Sequence, residues 1–218
     1  MHLAVNKDTT RMKTLELAKH GPVIPVIVIR NLDDAVPMAQ ALVDGGVRVL
    51  EITLRTPVAL KCMEAIARSV PGAIVGAGTI RTVVDAQAAK DAGCAFGVSP
   101  GYTGEIGRYC RNIGLPLLPG VATASEVMQA NADGHGFLKF FPATAAGGVA
   151  MLNAFAGPFA DVMFCPTGGI GVETAPQFLA LPNVKVCGGS WLTPADAVAA
   201  KDWASITRLA REASALRP

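Results

Sequence analysis

The sequence is short of the side chains that bind metals and nucleic acids. It has three histidines, His2, His20 and His135, and none stands in a metal-ligand spacing such as His-Glu-x-x-His. A catalytic metal is therefore not expected, unless carboxylates from separate loops assemble a site. Lys plus Arg number 19 against 17 Asp plus Glu, a formal net charge of +2, and no basic run occurs. Nucleic-acid binding has no electrostatic support from such a balance. The five cysteines, Cys62, Cys94, Cys110, Cys165 and Cys187, are scattered, odd in number and form no Cys-x-x-Cys. That pattern predicts buried thiols in a reduced, cytoplasmic protein. The first twenty residues lack the apolar core of a signal peptide, and no apolar run is long enough to span a bilayer. No Gly-x-Gly-x-x-Gly opens the first strand-to-helix turn, which argues against a dinucleotide site.

What remains is apolar and periodic. The 218 residues are 51% hydrophobic and 17% charged, with mean hydropathy +0.40. Such a chain predicts one compact domain, residues 1–218, with a large core. Residues 1–21 form an N-terminal segment, with an amphipathic helix over Thr10–His20 that Gly21-Pro22 stops. Beyond it, β-branched and apolar runs predict strands at Val23–Ile29, Val47–Thr53, Ala73–Thr79, Ala95–Ser99 and Leu115–Leu118. Three more follow at Phe137–Phe141, Asp161–Cys165 and Val184–Cys187. Each is followed by a helical pattern: Asp33–Asp44, capped by Asn31 or Asp33, then Pro57–Ser69, Thr82–Ala92, Thr103–Ile113 and Thr123–Ala132. The later helices are Gly147–Ala156, Val172–Ala180 and those from Pro194 onward. Strands that alternate with helices imply a parallel sheet. Eight strand-helix units predict a closed (β/α)₈ TIM barrel, with an open doubly wound sheet as the alternative.

The chemistry-bearing residues sit late on the strands, where such barrels place their sites. Gly136-Phe137-Leu138-Lys139-Phe140-Phe141-Pro142 is an aromatic strand with a lysine in it. Alternation puts Phe137, Lys139 and Phe141 on one face. Burial disfavours an ammonium, and a free amine is what attacks a ketone to form a Schiff base. The plainer reading is a lysine that reaches water or pairs with a carboxylate. In Val47–Arg55, parity groups Val49, Glu51, Thr53 and Arg55 on one face, so Glu51 points inward if the leucines meet the helices. Glu51 and Lys139 are then candidate partners, whether for catalysis or as a structural ion pair.

Gly76-Ala77-Gly78-Thr79, Ser99-Pro100-Gly101 and Pro119-Gly120 close three strands with small residues. They are either ordinary turns or room for a small substrate, with Thr79 offering a hydroxyl. Cys165-Pro166-Thr167-Gly168-Gly169-Ile170 follows the seventh predicted strand, and Gly188-Gly189-Ser190-Trp191 the eighth. Paired glycines after those two strands suit an anion site, since backbone N–H groups can face the ligand there.

Together these residues resemble the 2-keto-3-deoxy-6-phosphogluconate aldolases. The motifs that carry the resemblance are Gly45-Gly46-Val47, Leu50-Glu51-Ile52-Thr53-Leu54-Arg55-Thr56, Gly76-Ala77-Gly78-Thr79 and Ser99-Pro100-Gly101. Lys139-Phe140-Phe141-Pro142-Ala143 and Cys165-Pro166-Thr167-Gly168-Gly169-Ile170 complete them. The resemblance runs from about Gly21 to the C-terminal helices. It implies a (β/α)₈ barrel, a homotrimer, no metal and no cofactor. It implies a class I aldolase acting on a phosphorylated 2-keto-3-deoxy sugar acid and often on 4-hydroxy-2-oxoglutarate, with pyruvate as a product. Lys139 would be the Schiff-base lysine and Glu51 the general acid/base. Arg55 and Thr79 would bind the pyruvate carboxylate end, and Phe141 and Pro100 would wall the pyruvate pocket. Thr167 would lie near the breaking bond, and Gly168, Gly169, Gly189 and Ser190 would hold the phosphate. The galactonate-epimer aldolase, a non-catalytic phosphometabolite-binding barrel and an isomerase using Glu51 as base remain alternatives.

Overall fold

The computed structural model describes residues 14–216. Residues 10–13 of the predicted N-terminal helix lie outside this range; within it, Glu16–His20 is a 3-10 turn that ends at Gly21. The strands are β1 Val23–Ile27, β2 Val49–Thr53, β3 Ile74–Gly78 and β4 Phe96–Val98. They continue with β5 Leu117–Leu118, β6 Gly120–Val121, β7 Phe137–Phe140, β8 Met163–Pro166 and β9 Cys187–Gly189. The helices are α1 Ala35–Asp44, α2 Ala59–Ser69, α3 Val83–Asp91, α4 Gly104–Asn112 and α5 Ala124–Ala132. They continue with α6 Gly148–Ala156, α7 Ala175–Leu179, α8 Ala195–Ala199 and α9 Trp203–Ser214.

All the strand pairs are parallel, and the sheet curls with helices on its outer face. One sheet runs β5-β4-β3-β2-β1-β9 and a second runs β6-β7-β8. Single bridges Phe164–Val184 and Thr167–Gly188 join β8 to the β9 segment. Two departures from the sequence reading have clear causes. The fifth strand is split, because Pro119 has no N–H to give; its carbonyl still accepts from the Lys139 N–H at 2.8 Å. The last strand lies later than expected. Gly188 and Gly189 are inside it, paired with Ile24 and Pro25, and are not a loop after it.

Alternation along each strand divides the core. Leu50, Ile52, Ile27 and Ile29 pack outward with Met38, Leu42, Met63 and Ile66 of the helices. Leu138, Phe140 and Phe164 do the same with Leu152 and Phe155. The inner face holds Ile24, Val49, Phe96, Leu118, Phe137 and Val186. Helix starts are fixed locally. Thr82 and Thr123 each form a capping box, with Asp85 and Glu126 respectively. Asn31 accepts from the Asp33 N–H and opens a 3-10 turn, Leu32–Asp34, which delays α1 to Ala35.

Candidate active site

Glu51 and Lys139 point to the same inner face from β2 and β7, and they meet. Lys139 Nζ donates to Glu51 Oε1 at 3.1 Å, with 4% and 3% of the two residues exposed. They are 88 residues apart in sequence. Each is held by parity and by sheet register: Glu51 lies opposite Val26 and Gly76, and Lys139 opposite Gly120 and Cys165. The Phe141 ring centroid stands 5.3 Å from the ammonium, a cation–π contact. Burial pushes the Cys165 thiol up to about 12, so it stays neutral beside the pair despite Lys139. The acid, the base and a neutral sulfur therefore share one largely dry pocket floor.

Above the pair lies a cavity of about 280 Å³. Arg55, Lys139, Phe141, Thr167, Ser190 and the glycines 168, 169 and 189 line it, with Val26, Val28 and Ile170. Nine of the eleven expected site residues therefore converge, counting Glu51 beneath Lys139. Thr79 stands one step away: its Oγ1 accepts from Arg55 Nε at 3.2 Å, and its own φ is +67°. A threonine in the left-handed region is uncommon and costs energy, which its bond to Arg55 helps to offset. Pro100 is exposed on the loop after β4 and is not among the residues that line the cavity.

The glycines do different work from one another. Gly168 and Gly169 have φ of +103° and +75°, so this turn requires residues without a Cβ. Gly189 is not among the glycines with positive φ, but it too leaves no place for a Cβ, because the Trp191 ring fills that space. The expected room at Gly76, Gly78 and Gly120 is also taken. Phe96 fills the space at Gly76, Glu51 that at Gly78, and the Pro100 carbonyl that at Gly120. Gly188 was not expected as a site residue, yet its missing side chain makes the space for Thr167 Oγ1. Val26 and Val28 were read only as part of a buried strand; their alternation with Ile27 was the available signal.

The chain is similar to known proteins along nearly its whole length. The profile of the family described as "Aldolase: KDPG and KHG aldolase" matches residues 15–209. The KHG/KDPG aldolase of Escherichia coli K12 is 52% identical over 193 residues, covering 88% of this chain and 91% of that protein. The 2-keto-3-deoxy-6-phosphogluconate aldolase of Zymomonas mobilis ZM4, solved with 3-phosphoglycerate, superposes with a TM-score of 0.91 at 45% identity, over 95% of this chain and 97% of that one. The KDPG aldolase of Legionella pneumophila, solved with pyruvate captured as a covalent carbinolamine, gives a TM-score of 0.89 at 46% identity, over 91% and 97%. With near full-length coverage on both sides, the chain belongs to the KDPG and KHG aldolase family.

Proposed function

We propose that the protein is a class I aldolase that cleaves 2-dehydro-3-deoxy-6-phosphogluconate to pyruvate and glyceraldehyde 3-phosphate. It cleaves 4-hydroxy-2-oxoglutarate to pyruvate and glyoxylate by the same steps. The observation that carries this reading is the buried Lys139–Glu51 pair, at nucleophile-to-base distance, under a cavity that opens to Arg55, the Gly168-Gly169 turn and the end of β9. The Lys139 amine attacks the ketone at the second carbon, and water leaves to give a protonated imine. A base removes the proton of the fourth-carbon hydroxyl. The bond between the third and fourth carbons then breaks, its electrons flow into the imine, and the aldehyde departs. The remaining enamine takes a proton at the third carbon, and hydrolysis returns pyruvate and free Lys139.

Glu51 is the group placed to move these protons, directly or through a water, because its Oε1 is 3.1 Å from the reacting nitrogen. Arg55, steadied by Thr79, receives the carboxylate end. Phe141 walls the pyruvate end, Thr167 lies near the breaking bond, and Gly168, Gly169, Gly189 and Ser190 border the phosphate end; Pro100, outside the cavity lining, takes no part in this wall. The imine is the electron sink, so the chemistry asks for no metal and no cofactor.

The same reading takes the two sheets as one closed (β/α)₈ barrel in a single domain. The Phe164–Val184 and Thr167–Gly188 bridges and the Lys139 N–H to Pro119 carbonyl bond support it, because they link the sheet ends. It also takes the protein as a cytoplasmic homotrimer. Among the described residues, no helix is long and apolar enough to cross a membrane.

The test is borohydride reduction in the presence of pyruvate, read by intact mass and peptide mapping. One pyruvate-derived adduct on Lys139 is expected. Its absence under conditions of substrate turnover would refute the Schiff-base reading, and with no turnover either the protein would be a binding barrel or an isomerase.

A further inference from the structure

We infer that Arg30 is the counter-charge for the phosphate monoester dianion of the substrate, reached across Ser190 in a second cavity. This rests on the aldolase reading and adds to it a residue outside every motif considered so far.

The first observation is a shortage of charge. The reactive cavity holds only two cations, Lys139 and Arg55. Lys139 is already paired with Glu51, and Arg55 belongs to the carboxylate end. The turn at Gly168 and Gly169, and the Ser190 hydroxyl, offer only neutral donors. A phosphate monoester carries about −1.5 to −2 charges near neutrality, and charged partners bind it far better than neutral ones.

The second observation is where the next cation lies. A cavity of about 440 Å³ adjoins the first and shares Val26, Val28 and Ser190 with it. It runs between the carboxyl end of β1 and α8. Its polar lining beyond Ser190 is Arg30, Asn31, Asp34, Thr193 and Lys201. Asp34 is the one carboxylate there, and it would repel a phosphate. Lys201 Nζ stands 4.0 Å from its Oδ1 and offsets that charge. Asn31 spends its side-chain oxygen on the Asp33 N–H, which leaves its amide N–H₂ free to donate. Arg30 is exposed, and among the described residues it has neither a hydrogen bond nor an ion pair. It is the uncompensated positive charge of the cavity. A guanidinium fork is also the side chain that best matches a phosphate, since it donates two parallel bonds.

The experiment compares Arg30→Met with the parent on two substrates, one with the phosphate and one without. For 2-dehydro-3-deoxy-6-phosphogluconate, KM should rise about 10- to 100-fold, the range for losing a charge-assisted contact. For 4-hydroxy-2-oxoglutarate, kcat/KM should stay within about two-fold. Arg30→Lys should recover part of the loss, since it keeps the charge and loses the fork. Inorganic phosphate should inhibit the parent competitively and the Arg30→Met variant about ten-fold more weakly. Unchanged KM for the phosphorylated substrate would overturn the inference, as would equal losses on both substrates. Borohydride trapping of pyruvate is run on both proteins alongside. A normal adduct with an indifferent Arg30→Met removes this inference and leaves the aldolase reading standing. No adduct in the parent removes both.

Discussion

Replacing Gly78 with alanine should disable the site from beneath without unfolding the protein. Gly78 is the last residue of β3, opposite Thr53 of β2. A Cβ built there would lie 2.7 Å from Glu51 Cγ and 2.9 Å from Cδ, and closer still to Oε1. Such contacts are well inside ordinary packing distance, so the carboxylate must retreat by roughly 1 Å. It has little room to do so, because Glu51 is buried and fixed by Lys139 on its other side. The backbone itself accepts alanine, since Gly78 is not among the glycines with positive φ. A displacement of about 1 Å in a catalytic group costs on the order of 10²-fold, or about 2.7 kcal/mol of barrier. The overpacking adds about 1–3 kcal/mol of destabilisation, visible as a lower Tm. The assay is kcat on the phosphorylated sugar acid and on 4-hydroxy-2-oxoglutarate. Both should fall alike, because Glu51 serves the bond common to both. Gly157→Ala is the control, since nothing lies within 4 Å of the position its Cβ would take. A folded Gly78→Ala protein within about three-fold of the parent would refute the claim that the position of Glu51 matters.

Lys139→Arg should keep a positive charge and lose cleavage entirely, because arginine cannot form the imine; activity near the parent's would remove Lys139 from the mechanism. Prolonged dialysis against EDTA should leave kcat unchanged, and a loss restored by a divalent ion would replace the imine with metal chemistry. His135 should make the fold acid-sensitive: burial holds its imidazole down to about 4, so the unfolded chain binds the extra proton. Its contribution is whole above the unfolded value near 6.5 and is lost as pH falls toward 4, about 2–3 kcal/mol at pH 4.5, and urea midpoints for His135→Phe should show a flatter pH profile. Phe96→Ala should cost about 3–5 kcal/mol, because that ring is fully buried and fills the space left by Gly76; a Tm within a few degrees of the parent would contradict it.

Much of the site was legible because a strand has a period of two. Counting from Leu50 and Ile52 as outward residues puts Glu51 inside, and counting from Leu138 and Phe140 does the same for Lys139. Parity says which face a residue takes and nothing about which distant strand it meets. That the two join across 88 residues follows from sheet register, which a single strand does not encode. Loop positions were harder. Gly188 and Gly189 look like a turn, since glycine is weak in strand interiors, but tertiary pairing with Ile24 and Pro25 overrides that preference. Arg30 sits alone between an apolar strand and a helix cap, with no motif around it. Only the second cavity gives it a neighbour of consequence.

The inward glycines carry the deeper lesson about how this site is made. A glycine near the end of a barrel strand suggests space for substrate. Here that space is occupied by protein, by backbone at Gly120 and by side chains at three others. Phe96 of β4 fills the gap at Gly76 of β3, Glu51 of β2 fills the gap at Gly78, and Thr167 fills the gap at Gly188 of β9. Small and large residues interlock as in any dense core, and two of the large ones are polar. Their positions are therefore set by packing as well as by hydrogen bonds. Burying Glu51 and Lys139 is costly unless each finds the other in good geometry. The glycine at position 78 lets the carboxylate lie flat against β3 and still reach Lys139 Nζ at 3.1 Å. The ion pair depends on the absence of a methyl group on the neighbouring strand, and its reactivity should follow that position.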